Sequence, residues 1–163
     1  FVYEPGTHFV YSNVGPYLAG ILVQRRAGCD LVSYLMPRLF SHLGIKRPTW
    51  ENDPQGNSFG AGGLFLTLSE LHKFGLFCLR KGEWNGKQLL RRQWLEECAK
   101  KQGRGPYGYL FWRGEYGSFR ADGKYCQLAI ILPGKNAVIS VAAECRRGSE
   151  LMRLIYDTIC PQL

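Results

Sequence analysis

At 163 residues, with 45% hydrophobic and 21% charged content, the chain suits one domain with a sizeable core and excludes a disordered protein. The net charge of +8 raises a nucleic-acid partner, yet the cations come in small groups (Arg25-Arg26, Arg80-Lys81, Arg91-Arg92, Lys100-Lys101, Arg146-Arg147) without a basic-aromatic motif. Most fall at expected helix ends, where they complement the helix dipole, so no nucleic-acid partner is expected.

In chain order, Pro5-Gly6 is turn punctuation, and His8, Phe9 and Val10 suit an extended run. Apolar residues at Val14, Leu18, Ile21 and Leu22 then take helical spacing, which predicts a helix over 13–27 closed by Gly28. Tyr11, Ser12 and Asn13 therefore sit where a loop feeds a helix. A phenol and a carboxamide two residues apart there can face one cavity; equally, they can be a buried tyrosine beside an N-cap. Asp30 caps a second helix bearing Leu31, Tyr34, Leu35 and Leu39, which Pro37 should end or kink. A long loop, punctuated by Pro48, Pro54, Gly56, Gly60, Gly62 and Gly63, is expected from Gly44 to Gly63. Its Gly60-Ala61-Gly62-Gly63 cluster lacks the Lys-Ser/Thr of a phosphate loop, so close backbone packing is the simpler account.

Thr67-Leu68-Ser69-Glu70 is a capping box, opening a helix with Leu71, Phe74, Cys78 and Leu79 that stops at Gly82. Asn85-Gly86 signals a hairpin. A helix over about Arg91 to Lys101 should turn Trp94, Leu95 and Cys98 inward. Four strands follow, at Tyr107–Trp112, Gly117–Ala121, Tyr125–Leu132 and Ala137–Ala143. Their short links, Arg113-Gly114-Glu115-Tyr116, Asp122-Gly123-Lys124 and Pro133-Gly134-Lys135-Asn136, imply antiparallel pairing. A last helix from Ser149 to about Cys160 should bury Leu151, Leu154, Ile155 and Ile159. The fold class is α+β: a helical region over 1–106, then an antiparallel sheet and a C-terminal covering helix over 107–163, in one domain.

The six cysteines include no C-x-x-C pair, and His8, His42 and His72 are far apart, so no metal site is expected. Buried free thiols are the default where cysteines sit among apolar neighbours, and they lean toward a reduced, cytoplasmic setting, while the even count leaves disulfides open. No apolar run approaches the roughly 20 residues of a membrane span. Phe1-Val2-Tyr3-Glu4 lacks the features of a signal peptide and an initiator Met, and reads as an internal cut.

Pro5-Gly6-Thr7 through Tyr11-Ser12-Asn13 and Gly15, Gly60-Ala61-Gly62-Gly63-Leu64 through Gly75, Trp84-Asn85-Gly86-Lys87, and Ala121-Asp122-Gly123 with Gln127 occur in an order and spacing that resembles the serine β-lactamase-like hydrolases: class C β-lactamases, D-alanyl-D-alanine carboxypeptidases and related esterases. The resemblance covers nearly the whole chain and implies a β-lactamase/transpeptidase-like fold. It also implies an acyl-enzyme mechanism needing no cofactor, on a small-molecule or peptide acyl substrate. Tyr11 would be the proton shuttle, Asn13 would hold a lysine and the substrate amide, and Ala121, Asp122, Gly123 and Lys124 would form the third motif. There Gly123 admits the substrate and the Lys124 N–H is half of an oxyanion hole. Two departures stand out. No Ser-x-x-Lys occurs, and Ala121 replaces the usual Lys or His; Arg120, on the opposite face of the strand, is a poor substitute.

The resemblance therefore implies the C-terminal part of a longer hydrolase, inert alone, whose N-terminal segment is a further partner. Its compartment would be extracytoplasmic if a signal peptide lies upstream. The alternative is a non-catalytic β-lactamase-like binding protein.

Overall fold

The computed structural model describes residues 2–163; Phe1, the first residue of the expected internal cut, lies outside them. They form two compact units, one ending at Glu70 and the other running from Leu71 to Leu163.

The first unit opens with α1, Val14–Ala27, which ends where Gly28 takes φ 70° and donates its N–H to the Gln24 carbonyl. Glycine occupies this left-handed position without the Cβ penalty. Asp30 caps α2, Leu31–Leu35, by accepting from the Ser33 N–H at 2.8 Å. Pro37 has no N–H to continue the α ladder. The chain accordingly leaves α geometry and makes a wider π turn over Met36–Phe40, with the Ser41 N–H reaching back to the Met36 carbonyl. Phe40, Leu43 and Ile45 are buried at this turn, together with Leu31.

The expected loop over 44–63 is partly a hairpin. β1, Thr49–Trp50, pairs antiparallel with β2, Leu64–Phe65, and Asn52 bridges to Ser58. Two polar anchors order it. The Gln24 side chain donates to the Ser58 carbonyl and accepts the Ser58 N–H. Asp53 accepts the Tyr17 hydroxyl at 2.6 Å and the N–H groups of Gln55 and Asn57 at 2.9 Å. The glycine cluster supplies close approach: a Cβ on Gly60 would stand 3.0 Å from the Pro16 carbonyl oxygen and 3.1 Å from Gly20 Cα. Val14, Leu18 and Leu22 share one stripe of α1, and that stripe is exposed.

Between β2 and the next helix, the capping box forms as its sequence predicts. The Thr67 N–H donates to Glu70 Oε2 at 2.9 Å, and the Glu70 N–H to Thr67 Oγ1 at 3.3 Å. It opens α3, Leu68–Leu79. Asn85 and Gly86, both at positive φ, turn β3, Glu83–Trp84, into β4, Lys87–Gln88. The next helix, α4, is Arg92–Ala99. Leu95 and Cys98 are buried in it, but Trp94 is exposed and stacks on Tyr109, a correction to its expected inward position.

A four-stranded antiparallel sheet organises the second unit, in the order β5 (Trp112–Arg113), β6 (Phe119–Gly123), β7 (Gln127–Leu132), β8 (Ala137–Val141). The long first strand expected at Tyr107–Trp112 shrinks to two residues. The Tyr109 N–H is drawn to the Cys98 carbonyl and Leu110 takes φ 64°, which folds the chain back before it can run extended. Asp122 and Gly123 are also strand residues, not a link, and the connection is Lys124-Tyr125-Cys126.

β7 is buried on both faces. Leu128, Ile130 and Leu132 pack on one face with Ile155, Tyr156 and Cys160. On the other face Gly75 of α3 meets Ala129 and Val138, and His72 hydrogen-bonds Ser140 at 3.0 Å. The covering helix α5, Gly148–Leu154, widens into a π turn over Ile155–Ile159. Residues 155 and 160, five apart, therefore face inward, whereas Leu154 and Ile159, expected inside at α spacing, are exposed.

Two predictions follow from this packing. Asp53 is held at about 2 by its bonds to Tyr17 and Asn57. A carboxylate depressed in the folded state stabilises above its unfolded value of about 3.9 and loses that contribution as pH falls through the folded value. Asp53→Asn should flatten the acid limb of stability between those two values, read by circular dichroism at stepped pH. At Gly75 an added Cβ would stand 2.6 Å from Val138 Cγ1. Gly75→Ala should thus lower the urea midpoint, although alanine favours a helix interior by about 1 kcal/mol.

Candidate active site

The predicted site residues fall into two sets, one in each unit. In the first, the chain turns over Glu4 to Thr7, with Gly6 at φ 83° and the Thr7 hydroxyl donating to the Glu4 carbonyl at 2.6 Å. His8 stacks on Tyr3 with ring centroids 4.0 Å apart and bonds the Thr7 hydroxyl through Nδ1. The chain then runs without regular structure to Ser12 and enters α1.

The choice between cap and site is decided locally. Ser12 Oγ accepts the Val14 N–H at 3.2 Å. Asn13 starts the helix through its main chain, its carbonyl accepting from Tyr17, while its side chain makes no capping bond. The carboxamide is thereby left for another use. Tyr11 is 53% exposed, which corrects the reading of a buried tyrosine. A phenol and a carboxamide thus stand accessible on either side of the serine that takes the capping role.

In the second unit, strand alternation divides the third-motif residues. Ala121 pairs with Ala129 and lies on the face covered by α3. Asp122 pairs with Leu128 on the opposite face, where its carboxylate accepts from Arg120 Nε at 2.8 Å. Together these two line a cavity of about 870 Å³ with Arg113, Leu128, Met152 and Tyr156. Arg120 is therefore committed to Asp122 and lies away from Ala121, as strand periodicity requires. Gly123 pairs with Gln127, and a Cβ there would stand 3.1 Å from Gln127 Cβ. Lys124 begins the turn and places its ammonium 4.8 Å from the Tyr125 ring centroid, on a ring that Arg146 also approaches at 5.9 Å.

Sequence reading missed the Arg120–Asp122 pair, although an Arg and an Asp two apart on a strand share a face. It also missed the proximity of Cys126 and Cys145, for which no local pattern exists. Among the described residues, no group of three or more His, Cys, Asp or Glu could hold a metal ion, and no helix is long and apolar enough to cross a membrane.

No curated protein matches the chain by sequence. Solved structures do match. A candidate 6-aminohexanoate-dimer hydrolase from Bacillus anthracis superposes with a TM-score of 0.87 at 22% identity, over 98% of this chain and 45% of that one. A β-lactamase from Mycobacterium bovis gives 0.79 at 21%, over 99% of this chain and 66% of that one. Simvastatin synthase from Aspergillus terreus gives 0.70 at 20%, over 98% of this chain and 56% of that one. At such identities the likeness establishes the β-lactamase/transpeptidase-like fold, and the chain spans about half to two thirds of the length of these three structures. The family model described as Beta-lactamase matches residues 1–156. With that match over nearly its whole length, the chain belongs to the β-lactamase family.

Proposed function

We propose that these residues are the C-terminal part of a single β-lactamase-like domain of a serine hydrolase, which acts through an acyl-enzyme on an amide, ester or β-lactam. The observation that carries this reading is the accessible Tyr11–Asn13 pair, its capping role taken by Ser12, within a chain of this family. Tyr11 would relay the nucleophile's proton and Asn13 would hold the neighbouring cation and the substrate amide. Gly123, without a side chain, would let the substrate approach, and the Lys124 N–H would stabilise the developing oxyanion. Ala121 brings no charge. Asp122 is turned to the α5 face and supports the strand through Arg120. The nucleophile would come from a Ser-x-x-Lys outside these residues, since each serine here lacks a lysine three positions on. The solved structures of like fold include a candidate 6-aminohexanoate-dimer hydrolase and a β-lactamase, which is in keeping with a hydrolase.

The second reading is a binding protein that keeps the fold without the chemistry; it would hold if the full natural protein carries no Ser-x-x-Lys, and the uncharged Ala121 is compatible with it. Covalent labelling of the full natural protein, by acylation with a fluorescent β-lactam and by phosphonylation with a fluorophosphonate, separates the two. Covalent labelling that falls about 10²–10⁴-fold in Tyr11→Phe, the span expected for loss of a general acid-base group, supports the hydrolase. Absence of labelling by either probe leaves the binding protein.

The part-domain reading has its own consequence. Among the described residues β8 pairs only with β7 in the sheet, and Val14, Leu18, Leu22, Leu154 and Ile159 are exposed. An open strand edge and apolar surface invite association. Residues 1–163 produced alone should aggregate or self-associate on size exclusion. A soluble, cooperatively unfolding monomer would contradict the part-domain proposal.

A further inference from the structure

The chain that leaves β8 returns to the turn after β6 and brings two cysteines together. The Cys145 N–H donates to the Tyr125 carbonyl at 3.1 Å, and the Cys126 thiol donates to the Cys145 carbonyl at 3.5 Å. Both cysteines are free thiols, Cys126 buried and Cys145 partly exposed. Burial, then the nearness of Cys145, pushes the Cys126 thiol up. Gly148 closes the space on another side: a Cβ there would stand 3.3 Å from Cys126 Sγ. Tyr125 and Cys126 hold φ of 60° and 70°, uncommon values for residues with side chains, so this turn has one defined shape and presents Cys126 toward residue 145.

We propose that Cys126 and Cys145 form a peroxide-responsive thiol pair that closes to a disulfide across the turn. Cys145 reacts first, because it is the more exposed of the two and peroxide reaches it directly, whereas Cys126 is buried. Its sulfur attacks one oxygen of hydrogen peroxide. The O–O bond breaks, water leaves, and Cys145 becomes a sulfenic acid. The Cys126 sulfur then attacks the Cys145 sulfur. The S–S bond forms, the S–O bond breaks, and the hydroxyl leaves as water with the proton of Cys126. Two thiols are oxidised and one peroxide is reduced to two waters.

The other neighbouring pair, Cys78 and Cys98, is buried, and burial with repulsion from Cys98 pushes Cys78 up to about 12, so peroxide finds little thiolate there. The disulfide would fasten the Lys124-Tyr125-Cys126 turn to the chain entering α5. An effect on oxyanion binding through Lys124 rests on the hydrolase reading; the crosslink does not, and mass detects it independently of activity.

The test treats the full natural protein with stoichiometric hydrogen peroxide, blocks remaining thiols and maps non-reduced tryptic peptides. The expected result is residues 125–135 joined to residues 136–146, with a loss of about 2 Da that dithiothreitol reverses. Cys145→Ser, at the more exposed position, should abolish the joined peptide while near-ultraviolet circular dichroism stays native. Recovery of both peptides with separate thiols or as sulfinic acids, or linkage of Cys78 to Cys98 in their place, would overturn the assignment.

Discussion

Burial of β7 on both faces is the constraint on which the second unit depends. From Leu128 to Leu132 no residue is more than 1% exposed. Each large apolar side chain removed from water there is worth about 1.5–3 kcal/mol, so a one-residue slip of register would not merely exchange faces. It would set Ala129 and Ile131, which suit the α3 side, against the pocket shaped for Leu128 and Ile130. The neighbouring strand inherits this register. Because Asp122 is opposite Leu128 and Ala121 opposite Ala129, the division of the third motif between two faces is a consequence of how β7 is packed.

The first unit is held by a different logic. Its buried apolar set is small, and the segment over 44–63 is ordered through a few polar side chains that bond main-chain groups across it. Gln24 meets both main-chain groups of Ser58, and the Ser58 hydroxyl accepts the Leu31 N–H at 3.3 Å. Unsatisfied, these buried groups would cost about 1–3 kcal/mol each. Paired, they specify one loop path. Trp50 adds an indole N–H shared between the carbonyls of Phe59 and Gly62. The unit is therefore sensitive to the identity of a few polar side chains rather than to total apolar volume.

What could be read from sequence follows the range of the interaction responsible. Contacts closing within four residues were legible: the Asp30 cap, the Thr67–Glu70 box, the Asn85-Gly86 turn, the Gly28 stop and the effect of Pro37. Features set by distant partners were not. The pull of the Cys98 carbonyl on Tyr109 removed most of a strand, and the π turn at 155–159 rotated the buried stripe of the last helix. At the candidate site, the junction of Tyr11 and Asn13 with α1 was legible, because helical spacing marks where the helix starts. Which of Ser12 and Asn13 takes the cap was not, because both residue types suit it. The split of Ala121 from Asp122 needed only strand alternation, but it was hidden while Asp122-Gly123-Lys124 read as a turn.

The contact of Gly60 with Pro16 and Gly20 works as a mechanical stop. It sets how near the glycine segment can come to the first turn of α1, three residues beyond Asn13. Any side chain on Gly60 would act as a wedge at the root of that helix. Residues at a helix entrance move with its first turn, so the aim of the Asn13 carboxamide is calibrated from a position that never touches it. Hydrogen atoms in place of side chains at positions 20 and 60 are thus the alignment reference for this end of the molecule.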